Sequence, residues 1–301
     1  MKNFKIVSKI KYAYLFSGIL TVLSVLSLAV WGLKYGIDFT GGTLMEVKFA
    51  TEIPNNQEVE ETLKDLNLGS LTLQATGDNS MLIRYASDDD KVNESVWNKL
   101  SEKYKDSKQL RVDFINSTVS KELKTKSLNA IFLAILAIMG YIAWAFRKVS
   151  RPVQSWKYGA GAVIALAHDV LITAGVFSLL GHFYGIEVGI PFIAALLTIL
   201  GFSVHDTIVV YDRTRENLLH SANKDQFPEV VNQSLNETLV RSINTSLTVI
   251  ITLLAIYLFG GESIKYFSLA LLVGVTFGTY SSIFVASALL VTSYKLTTKN
   301  K

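Results

Sequence analysis

Three formal charges fall well inside the long apolar segments of this 301-residue chain. They are Asp169, Asp206 and Arg241. A charge near the centre of a membrane-spanning helix is costly, so such residues face a cavity or a partner and mark ion paths or proton relays. The first question is therefore whether these side chains form an ion-coupling site inside a membrane.

Asp206 lies toward the inner end of its predicted helix, ~9 Å from that end at 1.5 Å per residue. Ser203, Asp206 and Thr207 share one face, because they are spaced i, i+3 and i+4. One hypothesis is a transport or relay carboxylate, which the rarity of intramembrane carboxylates favours. The alternative is a structural carboxylate that joins two helices by hydrogen bonds.

The length of the fifth apolar segment places Arg241 inside a predicted span. The apolar run from Leu247 to Gly260 is too short to cross ~30 Å of hydrocarbon, so its helix must extend back to Arg241. A polar face then contains Arg241, Asn244, Thr245 and Thr248. The arginine either snorkels to lipid phosphates or pairs with a carboxylate, and its depth, similar to that of Asp206, favours an ion pair. A proton that weakened the pair would switch the helix packing.

Asp169 follows His168, with Thr173 one turn further along the Asp169 face. A histidine near a carboxylate can relay protons near neutral pH, but adjacent helical residues point about 100° apart. We therefore expect that His168 and Asp169 do not form a dyad and that His168 has a structural role. For Asp169 a structural role and a proton-relay role both remain open. Gly274 and Gly278 form a G-x-x-x-G pattern, which predicts close helix packing.

The surrounding elements agree with a membrane setting. Half of the residues are apolar, only 18% are charged, and the mean hydropathy is +0.34. A soluble domain is about 25% charged. Six stretches are long and apolar enough to span a bilayer: 13–33, 128–146, 159–180, 188–212, 239–260 and 266–293. The first is too long for a signal-peptide core, which favours a retained helix.

The short connections predict the orientation, because cytoplasmic loops are enriched in Lys and Arg. With the N-terminus inside, the inner loops and tail contain Arg147, Lys148, Arg151, Lys157, Arg213, Arg215, Lys224, Lys295, Lys299 and Lys301. The short outer loops offer only Lys265. We predict a cytoplasmic N-terminus (1–12), a first transmembrane helix (13–33), an extracytoplasmic α+β domain (34–127), transmembrane helices 2–6 with short loops (128–293) and a cytoplasmic tail (294–301).

The segment 34–127 has the pattern of a small soluble domain. Strands are predicted at 43–49, 71–75, 81–85 and 110–115, from period-two alternation and turn residues such as 77–79. Helices are predicted at 55–66 and 89–105, and a polar helical lead at 121–127 precedes the second span. The order βαββαβ predicts a ferredoxin-like sandwich.

Several function classes are excluded by the sequence. The chain has no cysteine, so disulfides, thiolate nucleophiles and Cys-ligated metals are ruled out. It contains no Walker loop, no Gly-x-Ser-x-Gly elbow and no His-Glu-x-x-His. Four scattered histidines do not form a metal site. We therefore expect neither an enzyme nor an ATPase, and no cofactor or metal.

Five motifs, in order along the chain, resemble the SecF family, the six-span subunits of the bacterial SecD–SecF export complex. They are Gly36-Ile-Asp-Phe-Thr-Gly-Gly42, His168-Asp169-Val170, Gly201-Phe-Ser-Val-His-Asp-Thr-Ile-Val-Val-Tyr-Asp-Arg213, Arg241-Ser-x-x-Thr-Ser246 and Gly278-Thr-Tyr-Ser-Ser-Ile-Phe-Val-Ala286. The first includes Gly36, Asp38, Gly41 and Gly42, just beyond the first span. His205 departs from the small polar residue or Asn expected at its position.

The resemblance implies half of a resistance–nodulation–division transporter, located in the bacterial plasma membrane. It assigns proton coupling to Asp206 and Arg241. From the residues themselves we expect a proton path or polar lining at Asp169, His168, Ser203, Thr207, Asn244 and Thr245. The implied task is to use the proton-motive force, together with SecD as a heterodimer, to promote late preprotein translocation and release. The other implied partners are the SecYEG translocon, YajC or YidC, and the unfolded preprotein. Nucleic acid is not expected as a partner.

Two other functions remain open at this stage. The first is a small-molecule or lipid exporter of the same superfamily, although an outer domain of about 90 residues is small for a substrate pocket. The second is a structural assembly factor in which Asp206 and Arg241 form a locking salt bridge. The sequence does not distinguish proton from sodium coupling, because a carboxylate suits both ions.

Overall fold

The structure, a computed structural model, describes residues 4–50, 52–68, 71–77, 79–87, 89–147, 153–220 and 226–299. Two compact units are present, each built from separate parts of the chain. The first comprises residues 1–33, 129–183 and 191–301, and the second comprises residues 34–128 and 184–190. The loop predictions at Lys148, Arg151 and Lys224, and the tip of the 77–79 turn, lie outside the described residues.

Six helical segments of the described chain are long and apolar enough to span a membrane: Val7–Val30, Ser117–Ala145, Ser155–Tyr184, Ile190–His220, Phe227–Phe259 and Ile264–Thr298. The helices themselves are α1 (Ile10–Val30), α5 (Ser117–Ala145), α6 (Ser155–Tyr184), α7 (Ile190–His220), α8 (Phe227–Phe259), α9 (Glu262–Ser281) and α10 (Ser287–Lys299). All six predicted spans are found. The chain is therefore a multi-pass membrane protein.

The observed helices extend beyond the predicted spans at several ends. Helix α8 begins at Phe227, well before the predicted position 239. Its first turns are polar, and they are stabilised by contacts such as the side-chain amide of Asn236, whose Nδ2 donates to the Phe4 carbonyl at 2.9 Å. Hydropathy locates the apolar centre of a helix but not polar turns that continue it outside the hydrocarbon.

The last span is interrupted by a π-helical segment, Ser282–Ala286, between α9 and α10. Such segments are single-turn bulges inside α-helices and occur frequently at functional sites. The Ser287 hydroxyl donates to the Ser282 carbonyl at 3.1 Å, five residues back. This segment has the wider turn of a π-helix.

The second unit contains a four-stranded antiparallel sheet of β1 (Gly42–Lys48), β2 (Leu71–Thr76), β3 (Ser80–Tyr85) and β4 (Lys108–Ile115), in the order β2-β3-β1-β4. Helix α3 (Asn56–Leu63) follows β1, and α4 (Asp90–Lys103) follows β3. The observed order of these elements is the predicted βαββαβ. A short helix α2 (Ile37–Thr40), which the sequence patterns do not predict, precedes β1.

The core of this unit lies between one face of the sheet and its two helices. Alternate strand residues such as Met45, Val47 and Ile83 are fully buried, and so are Val59 on α3 and Val96 on α4. Because strand side chains alternate between faces, this burial places both helices on the same face of the sheet.

Candidate functional site

Asp169 is completely buried on α6, and its carboxylate accepts hydrogen bonds from two other helices. The Ser203 hydroxyl of α7 donates to Asp169 Oδ2 at 2.6 Å, and the Ser281 hydroxyl of α9 donates to the same oxygen at 2.7 Å. Thr173, one turn along, donates to the Asp169 carbonyl at 2.8 Å and is also buried. Asp169 thus joins three spans.

The prediction that His168 and Asp169 would not form a dyad is wrong. His168 Nδ1 lies 2.9 Å from Asp169 Oδ1, and both side chains are buried. About 100° separates the two side-chain directions at the backbone. The contact still forms, because Nδ1 is close to the backbone and the carboxylate turns toward it. His168 Nε2 is buried and has no hydrogen-bond partner among the described residues.

Asp206 is buried on α7 and is also held by two hydroxyl groups. The Ser242 hydroxyl of α8 donates to Asp206 Oδ1 at 2.6 Å. The Ser282 hydroxyl, at the start of the π-helical segment, donates to Oδ2. Ser203 and Thr207 are buried on the same face, as their spacing predicts. Because both donors are neutral hydroxyls, neither of them supplies a positive charge that would balance the Asp206 carboxylate.

The expected ion pair between Asp206 and Arg241 is not found among the residues that the structure describes. Arg241 is exposed, whereas the next residue, Ser242, is buried and bonds the carboxylate. Similar depth places two residues at one level, but about 100° of rotation per residue decides which one faces inward. The salt-bridge lock required by an assembly factor therefore has no basis in this geometry.

Arg241 instead belongs to an exposed polar face of α8. Asn244 and Thr245, predicted as polar lining, are exposed on this face, and so is Thr248. His205, next to Asp206 on α7, is exposed as well. Hydrocarbon does not satisfy such groups, so this face of the spanning helix needs a protein partner or a water-filled cavity.

The two carboxylates are connected through the last span. Ser281 donates to Asp169 and its neighbour Ser282 donates to Asp206, directly before the wider π turn. A second chain of hydroxyls runs beside them: Thr279 donates to Ser246 Oγ at 2.5 Å, and Ser246 donates to the Ser242 carbonyl at 2.8 Å. A small movement of this segment would change the hydrogen bonds of both carboxylates.

The sequence patterns did not predict Ser242, Ser281 and Ser282 as carboxylate donors. The signal in the sequence is that each of these serines lies inside a predicted span, 239–260 or 266–293. Interhelical hydrogen bonds from serine are an ordinary feature of membrane packing.

The two glycines of α9 lie against the Asp206 helix. A Cβ at Gly274 would fall 2.1 Å from Ile199 Cδ1. A Cβ at Gly278 would fall 3.0 Å from Ser203 Cβ and 3.6 Å from Asp169 Oδ2. The absence of side chains at these positions brings α9 close enough for Ser281 and Ser282 to reach the carboxylates.

The Gly36–Gly42 motif lies in the second unit and holds the connector between α6 and α7, residues 184–190. Asp38 Oδ2 accepts from the Ile190 amide at 2.7 Å, and the Gly36 amide donates to the Val188 carbonyl at 3.0 Å. Gly41 and Gly42 have φ values of +77° and +112°, and a Cβ at Gly42 would fall 2.4 Å from the Tyr85 carbonyl oxygen. Only glycine fits that turn.

Glu187 ties the same connector to the sheet. Its carboxylate lies 3.0 Å from Arg84 Nε on β3 and 4.0 Å from Lys34 Nζ. Burial raises the pKa of Glu187, and the two cations oppose that shift. The connector between the two carboxylate-bearing helices is therefore part of the second unit (residues 34–128 and 184–190), which we call the sheet unit.

We expect Arg84→Ala to loosen the connector. Removing a hydrogen-bonded charge partner costs about 1.5 kcal/mol or more, so the Val188 and Ile190 amides should exchange about tenfold faster at neutral pH. Because the pKa of Glu187 is raised, acidification neutralises its carboxylate and removes the penalty, so the defect should shrink as the pH falls through that pKa.

Hydrogen exchange by mass spectrometry, corrected for intrinsic rates, measures this effect on peptides containing residues 184–190. Lys99→Ala is the matched control, because Lys99 pairs with the exposed Asp65 elsewhere in the same unit. Equal protection of the connector in Arg84→Ala and in the unchanged chain would contradict the assignment.

The fold and site define a class: a polytopic membrane protein with carboxylates buried between its spans. Residues 95–296 match the family described as "Protein export membrane protein SecD/SecF, C-terminal", and residues 26–53 match the "SecD/SecF GG Motif". The Protein translocase subunit SecF of Thermobaculum terrenum is 42% identical, over 93% of this chain and 91% of that protein. The Synechocystis sp. protein of the same name is 38% identical, over 93% and 90%.

Two solved structures are similar over the whole chain. The crystal structure of SecDF, a translocon-associated membrane protein from Thermus thermophilus, has a TM-score of 0.84 and 32% identity. A SecDF structure in the super-membrane-facing form has a TM-score of 0.66 and 31% identity. This chain covers 39% and 40% of those longer chains. The chain belongs to the SecF family, and its role is that of a protein translocase subunit in Sec export and not of an enzyme.

Proposed function

We propose that this chain works with SecD to convert the proton-motive force into late preprotein translocation and release. The observation that carries the proposal is Asp206, a buried carboxylate of a SecF-family chain whose partners are two neutral hydroxyls on α8 and on the last span. Partners without charge leave the carboxylate able to bind and lose a proton.

Protonation of Asp206 changes what its oxygens can do. The ionised carboxylate accepts from both Ser242 and Ser282, whereas a protonated carboxyl group has one oxygen that donates. One serine hydroxyl must then rotate or lose its bond. Because these serines lie on different segments, proton binding alters how the segments pack. Repeated protonation and release would move the spans between two arrangements.

The exposed polar face of α8 supports the pairing with SecD. Arg241 and Asn244 lie on that face, inside a span, where lipid cannot satisfy them. The similar SecDF structures contain a longer chain, of which this one covers 39% and 40%. We infer that this chain supplies half of a resistance–nodulation–division transporter and that the face of Arg241 meets SecD, lining the proton path there.

We also propose that the second unit, which contains the sheet, is a ferredoxin-like domain outside the membrane. The βαββαβ order and the strand order β2-β3-β1-β4 support a ferredoxin-like domain. The Lys and Arg bias of the short loops supports cytoplasmic termini in the bacterial plasma membrane, with residues 34–127 outside. There the domain would contact the preprotein as it leaves SecYEG, with YajC or YidC as further partners.

The test measures release of a newly exported secretory protein from spheroplasts, with and without an ionophore that collapses the proton gradient. We expect Asp206→Asn to reduce release to the level of cells without the chain, and to make release insensitive to the ionophore. Asp212→Asn is the matched control, because Asp212 is exposed on the same helix and pairs with Arg215. All variants are compared at equal membrane abundance.

Normal, gradient-dependent release in Asp206→Asn cells would overturn the coupling role of Asp206. A sodium gradient that sustained release after collapse of the proton gradient would replace the proton with sodium. Normal release in cells without the chain would remove protein export as its task and favour a small-molecule or lipid exporter.

A further inference from the structure

An apolar groove of about 600 Å³ runs along the first unit, which holds the spans and which we call the membrane unit. It lies between the N-terminal segment (residues 4–9), α8 and the last span. Its walls are aliphatic and aromatic, with Ile243, Leu247 and Ile250 on α8 and Ile283 and Phe284 on the last span. Two lysines, Lys5 and Lys9, also line it. Among the described residues that line this groove, none is acidic.

The geometry points to a binding site for an anionic phospholipid, with one acyl chain in the groove and the headgroup phosphate at Lys5 and Lys9. An acyl chain matches an apolar channel that is open along one side. Lys5 lies just before the first span, Val7–Val30, and Lys9 lies in its first turn. A lipid headgroup would lie at this end of the span. Basic clusters at the membrane surface attract anionic lipids, with about 1 kcal/mol per lysine.

The position of the groove on α8 argues for lipid instead of protein. The exposed polar face contains Arg241, Asn244 and Thr245, whereas the groove face contains Ile243 and Leu247. At about 100° per residue, the centres of these two sets of side chains lie roughly 130° apart around the helix. A partner on the polar face, which is the SecD contact of the proposed function, leaves the groove on the opposite side of the helix, toward the bilayer.

The N-terminal segment that carries both lysines is fixed in place. The Phe4 amide donates to Asn236 Oδ1 at 2.7 Å, and the Val7 amide donates to Asn232 Oδ1 at 3.1 Å. Both asparagines belong to α8, the helix that forms one wall of the groove. The positive charges are therefore held beside the apolar channel by the helix that also lines it.

The bottom of the groove reaches the hydroxyls beside Asp206. Ser246 and Thr279 line it and are joined to each other at 2.5 Å, and Ser246 bonds the carbonyl of Ser242. An acyl chain in the groove keeps water away from this side of the hydroxyl network. Lipid occupancy thus protects the Asp206 site from the bilayer side.

Native mass spectrometry of the purified 301-residue chain in detergent tests the binding, with phosphatidylglycerol, phosphatidylcholine and inorganic phosphate as probes. We expect phosphatidylglycerol to bind more tightly than phosphatidylcholine. Lys5→Gln with Lys9→Gln should weaken phosphatidylglycerol binding about 30-fold and leave phosphatidylcholine binding unchanged. Lys11→Gln is the matched control, because Lys11 is exposed nearby but does not line the groove.

Leu247→Trp tests the channel, since it fills the groove without changing charge, and should reduce binding of both lipids. Leu258→Trp, at an exposed position of α8 outside the groove, is its control. Equal phosphatidylglycerol binding in the lysine variant and the unchanged chain would overturn the proposal, as would inorganic phosphate competing as well as the lipid.

A photo-cross-linking residue at Leu247 identifies the occupant in cells. A lipid-sized adduct supports the proposal, and an adduct with a protein overturns it. These outcomes are independent of preprotein release, so failure of the lipid site is distinguishable from failure of the export function.

Discussion

Gly175→Ala is expected to be among the most damaging single substitutions in the membrane unit. Gly175 on α6 lies against Ser24 on α1, and an added Cβ would fall 2.4 Å from Ser24 Cβ and 2.6 Å from Ser24 Cα. The second atom belongs to the backbone, so a rotamer change cannot relieve the clash and α1 must move. Overpacking of this kind costs about 1–3 kcal/mol, and a rigid backbone contact belongs at the upper end.

Helix movement at Gly175 also removes polar contacts between the same two helices. The Ser27 hydroxyl donates to the Gly175 carbonyl at 3.3 Å, and the Ser178 hydroxyl donates to the Ser27 carbonyl at 3.0 Å. Both hydroxyls lie in a buried interface inside the spans, where water does not replace the lost partner. We therefore expect a lower thermal unfolding midpoint in detergent and a lower abundance in cells.

Gly18→Ala separates this contact from the general effect of replacing a helical glycine. Gly18 lies on α1, the helix that contacts Gly175, and a Cβ added there would meet no atom of another described segment within 4 Å. Alanine favours helix over glycine by up to about 1 kcal/mol, so Gly18→Ala should be neutral or stabilising. Ser24→Gly should partly rescue Gly175→Ala. Equal midpoints for the two alanine variants would contradict the close contact.

Removal of the serine donors of Asp206 should have the second large effect. Ser242→Ala or Ser282→Ala leaves one oxygen of a buried carboxylate without its protein donor. Leaving a buried polar partner unsatisfied costs about 1–3 kcal/mol, and more when the group is charged. Each variant should unfold at lower temperature and release exported protein more slowly, and the double variant should resemble Asp206→Asn in export.

A double-mutant cycle shows whether the serines act through Asp206. In an Asp206→Asn background the buried charge is gone, so Ser282→Ala should cost less stability than it does in the unchanged chain. Ser268→Ala is the matched control, because Ser268 is a buried serine whose hydroxyl bonds the Lys265 carbonyl. If Ser282→Ala costs the same in both backgrounds, the serine contributes to helix packing independently of the carboxylate.

Apolar length was enough to predict the six spans, and alternation was enough to predict the four strands. Both signals are local, because each is a pattern of apolar and polar residues within one short stretch of sequence, set by whether that stretch faces lipid, water or the core. The polar turns that extend α8 back to Phe227 have neither signal. They are held by contacts with a distant segment, such as Asn236 with Phe4, which are invisible in a local window.

The site was predicted less completely, because depth in the membrane does not determine which way a side chain faces. Arg241 and Ser242 differ by one residue, yet the arginine is exposed and the serine bonds Asp206. A charge attracts attention in a sequence and a serine does not, although serines provide every interhelical bond to the two carboxylates in the described structure. The connector was missed for a similar reason, since Lys34 and Val188 are far apart in sequence.

The division of the chain has a mechanical consequence. The chain crosses between the two units four times, after Leu33, Leu128, Phe183 and Ile190. Two of the four lead directly into the helices of Asp169 and Asp206. Residues 184–190 are therefore joined by the main chain directly to both carboxylate-bearing helices, so that a pull on this segment acts on α6 and α7 without passing through any side-chain contact.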